Sequence, residues 1–306
     1  MERQAEYAVP VALTSRQGGP YSTKQLANRR TPRRPKEQHA HMVSMSAPFT
    51  LQQIGTGTSR FPSGVALPTL TDASVDPYIR TRPVKAVQVE CIEFWPQETG
   101  TYPGIVLLHE WWGLNSQIKD LGARLACEGY GVIIPNLYGR IGGMVTGNAE
   151  VAEALMGKLD ESLALQDINS CCEYLNTRQF IKRNIHGAVG FGMGGTLAMK
   201  FACQRKRLRG AVSYYGRMIH PEHAFKEILC PVLYHYAERD PWVSAQDIER
   251  LRQLAQEHKK AVDIRTYPGA PHAFSNETRP ESYREETAAE AWAATALFLK
   301  QHLQGT

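Results

Sequence analysis

Gly187-Ala188-Val189-Gly190-Phe191-Gly192-Met193-Gly194-Gly195 is a short apolar run that ends in a cluster of glycines. The run predicts a buried strand over Gly187 to Phe191, and the stretch Gly194 to Gln204 predicts a helix. A strand that turns into a helix through Gly190-x-Gly192-x-Gly194 has the spacing of a nucleophile elbow, G-x-S-x-G. Flanking glycines suit the tight turn, and the helix amino terminus offers N–H groups to a developing oxyanion. The centre of such an elbow is expected to carry Ser or Cys, but here it is Gly192, with no side chain. Taken alone, the turn fits a phosphate loop or a packing device equally well, although its spacing does not match G-x-x-x-x-G-K-[ST] and so argues against an NTPase.

Outward from this turn, short β-branched runs alternate with amphipathic helical stretches from Val84 onward, the pattern of βαβ units in a mostly parallel sheet. Strands are expected over Val84 to Phe94, Gly104 to His109, Val132 to Pro135, Arg209 to Tyr215, Pro231 to Tyr236 and Val262 to Tyr267. Helices are expected over Ile118 to Gly129, one or two within 150–176, Ala245 to His258 and Glu286 to His302. Residues 1–75 are rich in Gln, Ser, Thr, Pro, Gly and Arg without either period, and read as a disordered arm before a domain over 76–306.

In open parallel sheets ligands bind beyond the carboxyl ends of the strands, so residues that follow strands draw the search. Asp240 follows one predicted strand and His272 the last. Singly, the first reads as a turn residue and the second as an exposed loop histidine. Together with Gly192 they stand in the chain order of nucleophile, acid and histidine that α/β-hydrolases use, and each falls after a strand. Glu110, after the first buried strand, sits beside Trp111 and Trp112, where a carboxylate is desolvated.

On these residues the chain resembles the dienelactone hydrolase family from about Val84 to the C-terminal helix. The resemblance rests on the stretch from Pro103 to Asn115, on Gly129 to Tyr138, on the Gly190 elbow, and on Asp240 and His272. It implies an α/β-hydrolase fold with a mostly parallel central sheet flanked by helices. It also implies a cysteine nucleophile at the position of Gly192, a histidine–acid pair in His272 and Asp240, and in Glu110 a glutamate that restrains and helps activate the cysteine. Trp111 and Met193 correspond to the oxyanion-hole N–H donors, and Arg140 to an arginine that binds a substrate carboxylate. Asn276 stands about where a second such arginine is expected. Cys203 lies eleven residues along the predicted helix, ~16 Å from the elbow at 1.5 Å per residue, and cannot substitute for the missing thiol.

Bulk properties narrow the class. Of 35 basic and 30 acidic residues, the arm 1–41 holds eight and three, which leaves 27 of each sign in the remainder. The charge excess belongs to the arm, and the body carries no electrostatic footprint for nucleic acid. The six cysteines show no metal-site or redox spacing, so buried reduced thiols, a cytoplasmic location and no metal or cofactor are expected. No apolar run reaches the ~18 residues that cross a bilayer, so no membrane partner is expected. The expected ligand is a small ester or lactone. The expected activity is a carboxylic ester hydrolase impaired by loss of its nucleophile, or in the alternative a non-catalytic binding protein of the same fold. Oligomeric state is not legible.

Overall fold

The computed structural model of the protein describes residues 47–64 and 87–305. Its centre is an eight-stranded sheet: β1 (Ile54–Pro62), β2 (Gln88–Pro96), β3 (Tyr102–Leu108), β4 (Gly131–Pro135), β5 (Ile181–Phe191), β6 (Leu208–Tyr214), β7 (Val232–Arg239) and β8 (Val262–Pro271). The spatial order is β1-β2-β4-β3-β5-β6-β7-β8. From β4 to β8 every pairing is parallel, whereas β2 runs antiparallel to both of its neighbours. The expected mostly parallel sheet is therefore present.

Alternation along β3 explains how the sheet is covered, because successive side chains of a strand point to opposite faces. Val106 and Leu108 join a core beneath α3 (Glu161–Leu175), α4 (Met193–Gln204) and α5 (Ala245–Glu257). Ile105 and Leu107 join a second core beneath α1 (Ser116–Cys127) and α6 (Glu285–Leu299). With both faces buried, the strand must be apolar throughout, which is why it reads as a continuous hydrophobic run. The remaining helix, α2 (Ala149–Gly157), precedes α3, so the 150–176 stretch forms two helices. Side-chain caps fix where the helices start: Asn115 accepts from the Ile118 N–H, Asp160 from Leu163, and Ser244 forms a reciprocal capping box with Asp247.

One expectation is corrected. Residues 54–62 read by composition as part of the disordered arm, yet they form β1, paired with β2 from Ile54↔Pro96 to Pro62↔Gln88. Gly55 and Gly57 make room for the Trp95 indole: a Cβ on Gly55 would lie 2.8 Å from Trp95 Cε2. The rest of the arm, 1–46 and 65–75, lies outside the described residues, as does Val84. All six cysteines are free thiols, five of them buried. No helix among the described residues is long and apolar enough to cross a membrane.

Candidate active site

Five strands deliver one residue each to the carboxyl edge of the sheet: β3 leads to Glu110, β5 to Gly192, β6 to Tyr215, β7 to Asp240 and β8 to His272. The elbow after β5 is as tight as its glycines suggest. A Cβ on Gly190 would lie 2.0 Å from the Gly194 carbonyl oxygen, and one on Gly194 would lie 2.3 Å from that of Leu108. Gly192 itself has φ +51 and ψ −114, and its N–H donates to Tyr214 O at 2.9 Å.

A Cβ placed on Gly192 would meet only ordinary contacts, Glu110 Cγ and His272 Nε2, each at 3.7 Å. The position therefore points between a carboxylate and an imidazole nitrogen. His272 Nδ1 donates to Asp240 Oδ2 at 2.7 Å, since a carboxylate can only accept, which leaves Nε2 facing Gly192. The Asp240 side chain is fully buried, and its Oδ1 accepts from the backbone N–H groups of Trp242 (2.8 Å) and Val243 (3.3 Å). These bonds hold the carboxylate in place without a cation.

Glu110 is buried and gripped at both oxygens by neutral donors. Tyr215 Oη donates to Oε1 at 3.0 Å and Asn276 Nδ2 donates to Oε2 at 2.9 Å. Its backbone is pinned by His109, whose Nε2 accepts from Leu137 N at 3.2 Å and whose Nδ1 therefore donates to Glu110 O at 2.6 Å. Burial lowers the His109 pKa to about 4, which keeps the ring neutral and suited to this donor–acceptor role.

Trp111 and Met193 line the same cavity, of about 320 Å³, together with Glu110, Gly192 and His272. Met193 opens α4, so its N–H has no acceptor within the helix. Tyr138 Oη donates to Trp111 O at 2.9 Å and holds the Trp111–Trp112 peptide, while the bond from His109 to Glu110 O holds the peptide that carries the Trp111 N–H. Three arginines, Arg217, Arg239 and Arg279, also line the cavity, with Glu281 3.8 Å from the last of them. The Arg279 guanidinium lies 3.6 Å over the Trp112 ring and that of Arg217 lies 4.6 Å over Trp242, both in cation–π range. No cluster of His, Cys, Asp or Glu among the described residues could hold a metal ion.

The dienelactone hydrolase family model matches residues 89–303, from the second residue of β2 into the C-terminal turn. The chain belongs to the dienelactone hydrolase family. Among its relatives, a Bradyrhizobium sp protein provisionally named a 2-oxo-3-(5-oxofuran-2-ylidene)propanoate lactonase is 27% identical over 220 residues, 69% of this chain and 88% of that one. A Saccharolobus solfataricus protein provisionally named a carboxymethylenebutenolidase is 31% identical over 233 residues, 64% and 88% of the two chains. The crystal structure of a provisionally named dienelactone hydrolase from Klebsiella pneumoniae superposes with a TM-score of 0.68 at 24% identity, covering 81% of this chain and 99% of that one. The fold is thus the α/β-hydrolase fold of the family.

Of the residues that the sequence singles out, Glu110, Trp111, Gly192, Met193, Asp240 and His272 come together. Arg140 does not. It is absent from the cavity lining and is engaged with Asp167, Nε to Oδ2 at 2.8 Å and Nη2 to Oδ1 at 2.7 Å, while Nη2 also donates to Ser63. The bidentate pair occupies the Nε/Nη2 edge of the guanidinium and the bond to Ser63 takes the second Nη2 proton, which ties the group to α3 and away from the cavity. Tyr215 and the three cavity arginines are not among the residues that the sequence marks. Tyr215 ends a predicted strand, so the search at strand ends that finds Asp240 could have found it, whereas Arg217 and Arg279 sit in loops and Arg239 closes β7, with no local signal to mark them.

Proposed function

We propose that the protein hydrolyses a small ester or lactone without a covalent intermediate, using a water activated by His272 above Gly192. The observation that carries this reading is the position of a Cβ on Gly192, 3.7 Å from both Glu110 Cγ and His272 Nε2. A water in the place of the family's sulfur lies within reach of the base and the carboxylate.

In this reading the water gives a proton to His272 Nε2 as its oxygen attacks the carbonyl carbon. Asp240 stabilises the imidazolium, and the Met193 and Trp111 N–H groups receive the oxyanion. Collapse of the tetrahedral intermediate expels the alkoxide, which takes the proton back from His272. The products are an acid and an alcohol, or a single hydroxy acid from a lactone. A site that keeps base and oxyanion donors but lacks a nucleophile retains roughly 10³ to 10⁴-fold over water in serine proteases, so turnover is slow. Arg217, Arg239 and Arg279 support a substrate with a carboxylate, in the role that Arg140 gives up.

The missing side chain favours a second reading, a protein that binds such a molecule without turning it over. Assays with p-nitrophenyl acetate and a dienelactone, run beside Gly192→Cys and His272→Ala, separate the two. Turnover that disappears with His272→Ala supports water-based catalysis. Activity in Gly192→Cys alone leaves a binding protein on a disarmed hydrolase site.

A further inference from the structure

A second cavity, of about 580 Å³, opens at the amino ends of the strands, the far edge of the sheet from Gly192. Along β6 alone that separation is ~20 Å at 3.3 Å per residue. Lys206 and Arg207, from the turn between α4 and β6, and Arg209, the second residue of β6, line it, and the C-terminal turn adds His302. Its apolar side is Leu229, which is 63% exposed, and Pro231.

No acidic residue lines this cavity. The cavity around Gly192, by contrast, is lined by Glu110 and Glu281 as well as by arginines, and nine of the fifteen described arginines contact a carboxylate: Arg60, Arg124, Arg140, Arg178, Arg205, Arg250, Arg252, Arg265 and Arg279. Even Arg205, one residue before the cluster, is paired with Glu173 at 2.8 Å. Lys206, Arg207 and Arg209 are exposed and have no carboxylate partner among the described residues. A body with balanced charge has acids available to neutralise such a cluster, and here none is placed to do so. A concave surface lined by one sign of charge concentrates counter-ions. Guanidinium forks match phosphate oxygens in pairs, and a neighbouring apolar wall shields one side of the contact from water.

We propose that this cavity is a binding site for a phosphorylated small molecule, one with at least two negative charges beside an apolar portion that rests on Leu229 and Pro231. The site is independent of the hydrolytic reading, since it shares no residue with the Gly192 cavity.

Titration calorimetry of the full chain at low salt tests it, with inorganic pyrophosphate and ADP as probes. Three proteins are compared: the natural protein, the triple variant Lys206→Ser/Arg207→Ser/Arg209→Ser, and Arg217→Ser/Arg239→Ser in the catalytic cavity. The basic arm is common to all three and cancels in the comparison. The expected result is binding that the triple variant weakens about tenfold or more. The catalytic-cavity variant leaves it unchanged, and ADP binds more tightly than pyrophosphate. The triple variant alters exposed side chains only, so an unchanged melting temperature accompanies the loss. Absence of binding of both probes, affinity undiminished in the triple variant, or loss only in the catalytic-cavity variant overturns the proposal. A single-stranded oligonucleotide that binds through the same three residues while pyrophosphate and ADP do not also overturns it, in favour of a polymer.

Discussion

His272 Nδ1 and Asp240 Oδ2 lie 2.7 Å apart, on two loops that follow adjacent parallel strands. Because the Asp240 side chain is buried and its other oxygen is held by two backbone N–H groups, the carboxylate has one orientation, and it imposes one tautomer on the imidazole. Asp240→Asn keeps the shape but reverses the demand on Nδ1, so Nε2 carries the proton and can no longer accept one. The expected loss in kcat for p-nitrophenyl acetate is on the order of 10² to 10⁴-fold, with KM little changed. A variant within threefold of the natural rate would remove His272 from the role of base.

Gly192→Cys adds a thiol on a Cβ that lies 3.7 Å from both Glu110 Cγ and His272 Nε2, ordinary contact distances. The backbone there has φ +51, where a side chain is strained, so the thiol comes at a cost of ~1–2 kcal/mol in stability. The expected outcome is a rise in kcat of at least ~10²-fold together with a lower melting temperature. An acyl-enzyme adduct on the introduced thiol in a burst-phase experiment, seen as a mass increase, identifies covalent catalysis. A stable but inactive variant would show that loss of the thiol is not what limits the site.

Much of this is legible in the sequence because parallel strands buried on both faces must be apolar, which makes β3 and β5 visible as runs, and because the chemistry of this fold gathers where those runs end. What cannot be read there depends on contacts across the chain. The β1 strand hides behind Gly55 and Gly57, whose small size is explained only by Trp95 lying over them. Arg140 stands where the resemblance puts a substrate-binding arginine, and only the packing of α3 brings Asp167 to it, 27 residues on. Asn276 reads in sequence as a lost arginine, whereas its place on Glu110, 166 residues away, shows what it does instead.

The pairing of Arg140 makes an opposed forecast for two arginines. Arg140→Met leaves Asp167, 7% exposed at its side chain, without its partner and costs ~2–4 kcal/mol by urea unfolding while KM stays unchanged. Arg279→Met removes a cation from the cavity wall. It raises KM about tenfold for an ester that carries a carboxylate, more at low salt than at high, and leaves that for a neutral ester unaltered. A raised KM in Arg140→Met with full stability would return that residue to the substrate.

Three buried histidines set the acid limit of the fold. Burial lowers the pKa of His109 and His186 to about 4 and that of His235 to about 3. Between pH 6.5 and about 4 the unfolded chain binds protons that the folded chain refuses, so stability is fully present above pH 6.5 and falls as the pH drops through this window. His109 and His235 are hydrogen-bonded at both ring nitrogens, but neither nitrogen of His186 has a partner among the described residues. His186 thus carries the desolvation cost with no bond to offset it. His186→Leu is expected to stabilise the protein by ~1–3 kcal/mol at pH 7, and the gain widens by ~2 kcal/mol at pH 5 because one refused proton is gone. Urea unfolding at the two pH values checks this. A gain that is the same at both would mean that His186 takes up its proton in the folded state as readily as in the unfolded one.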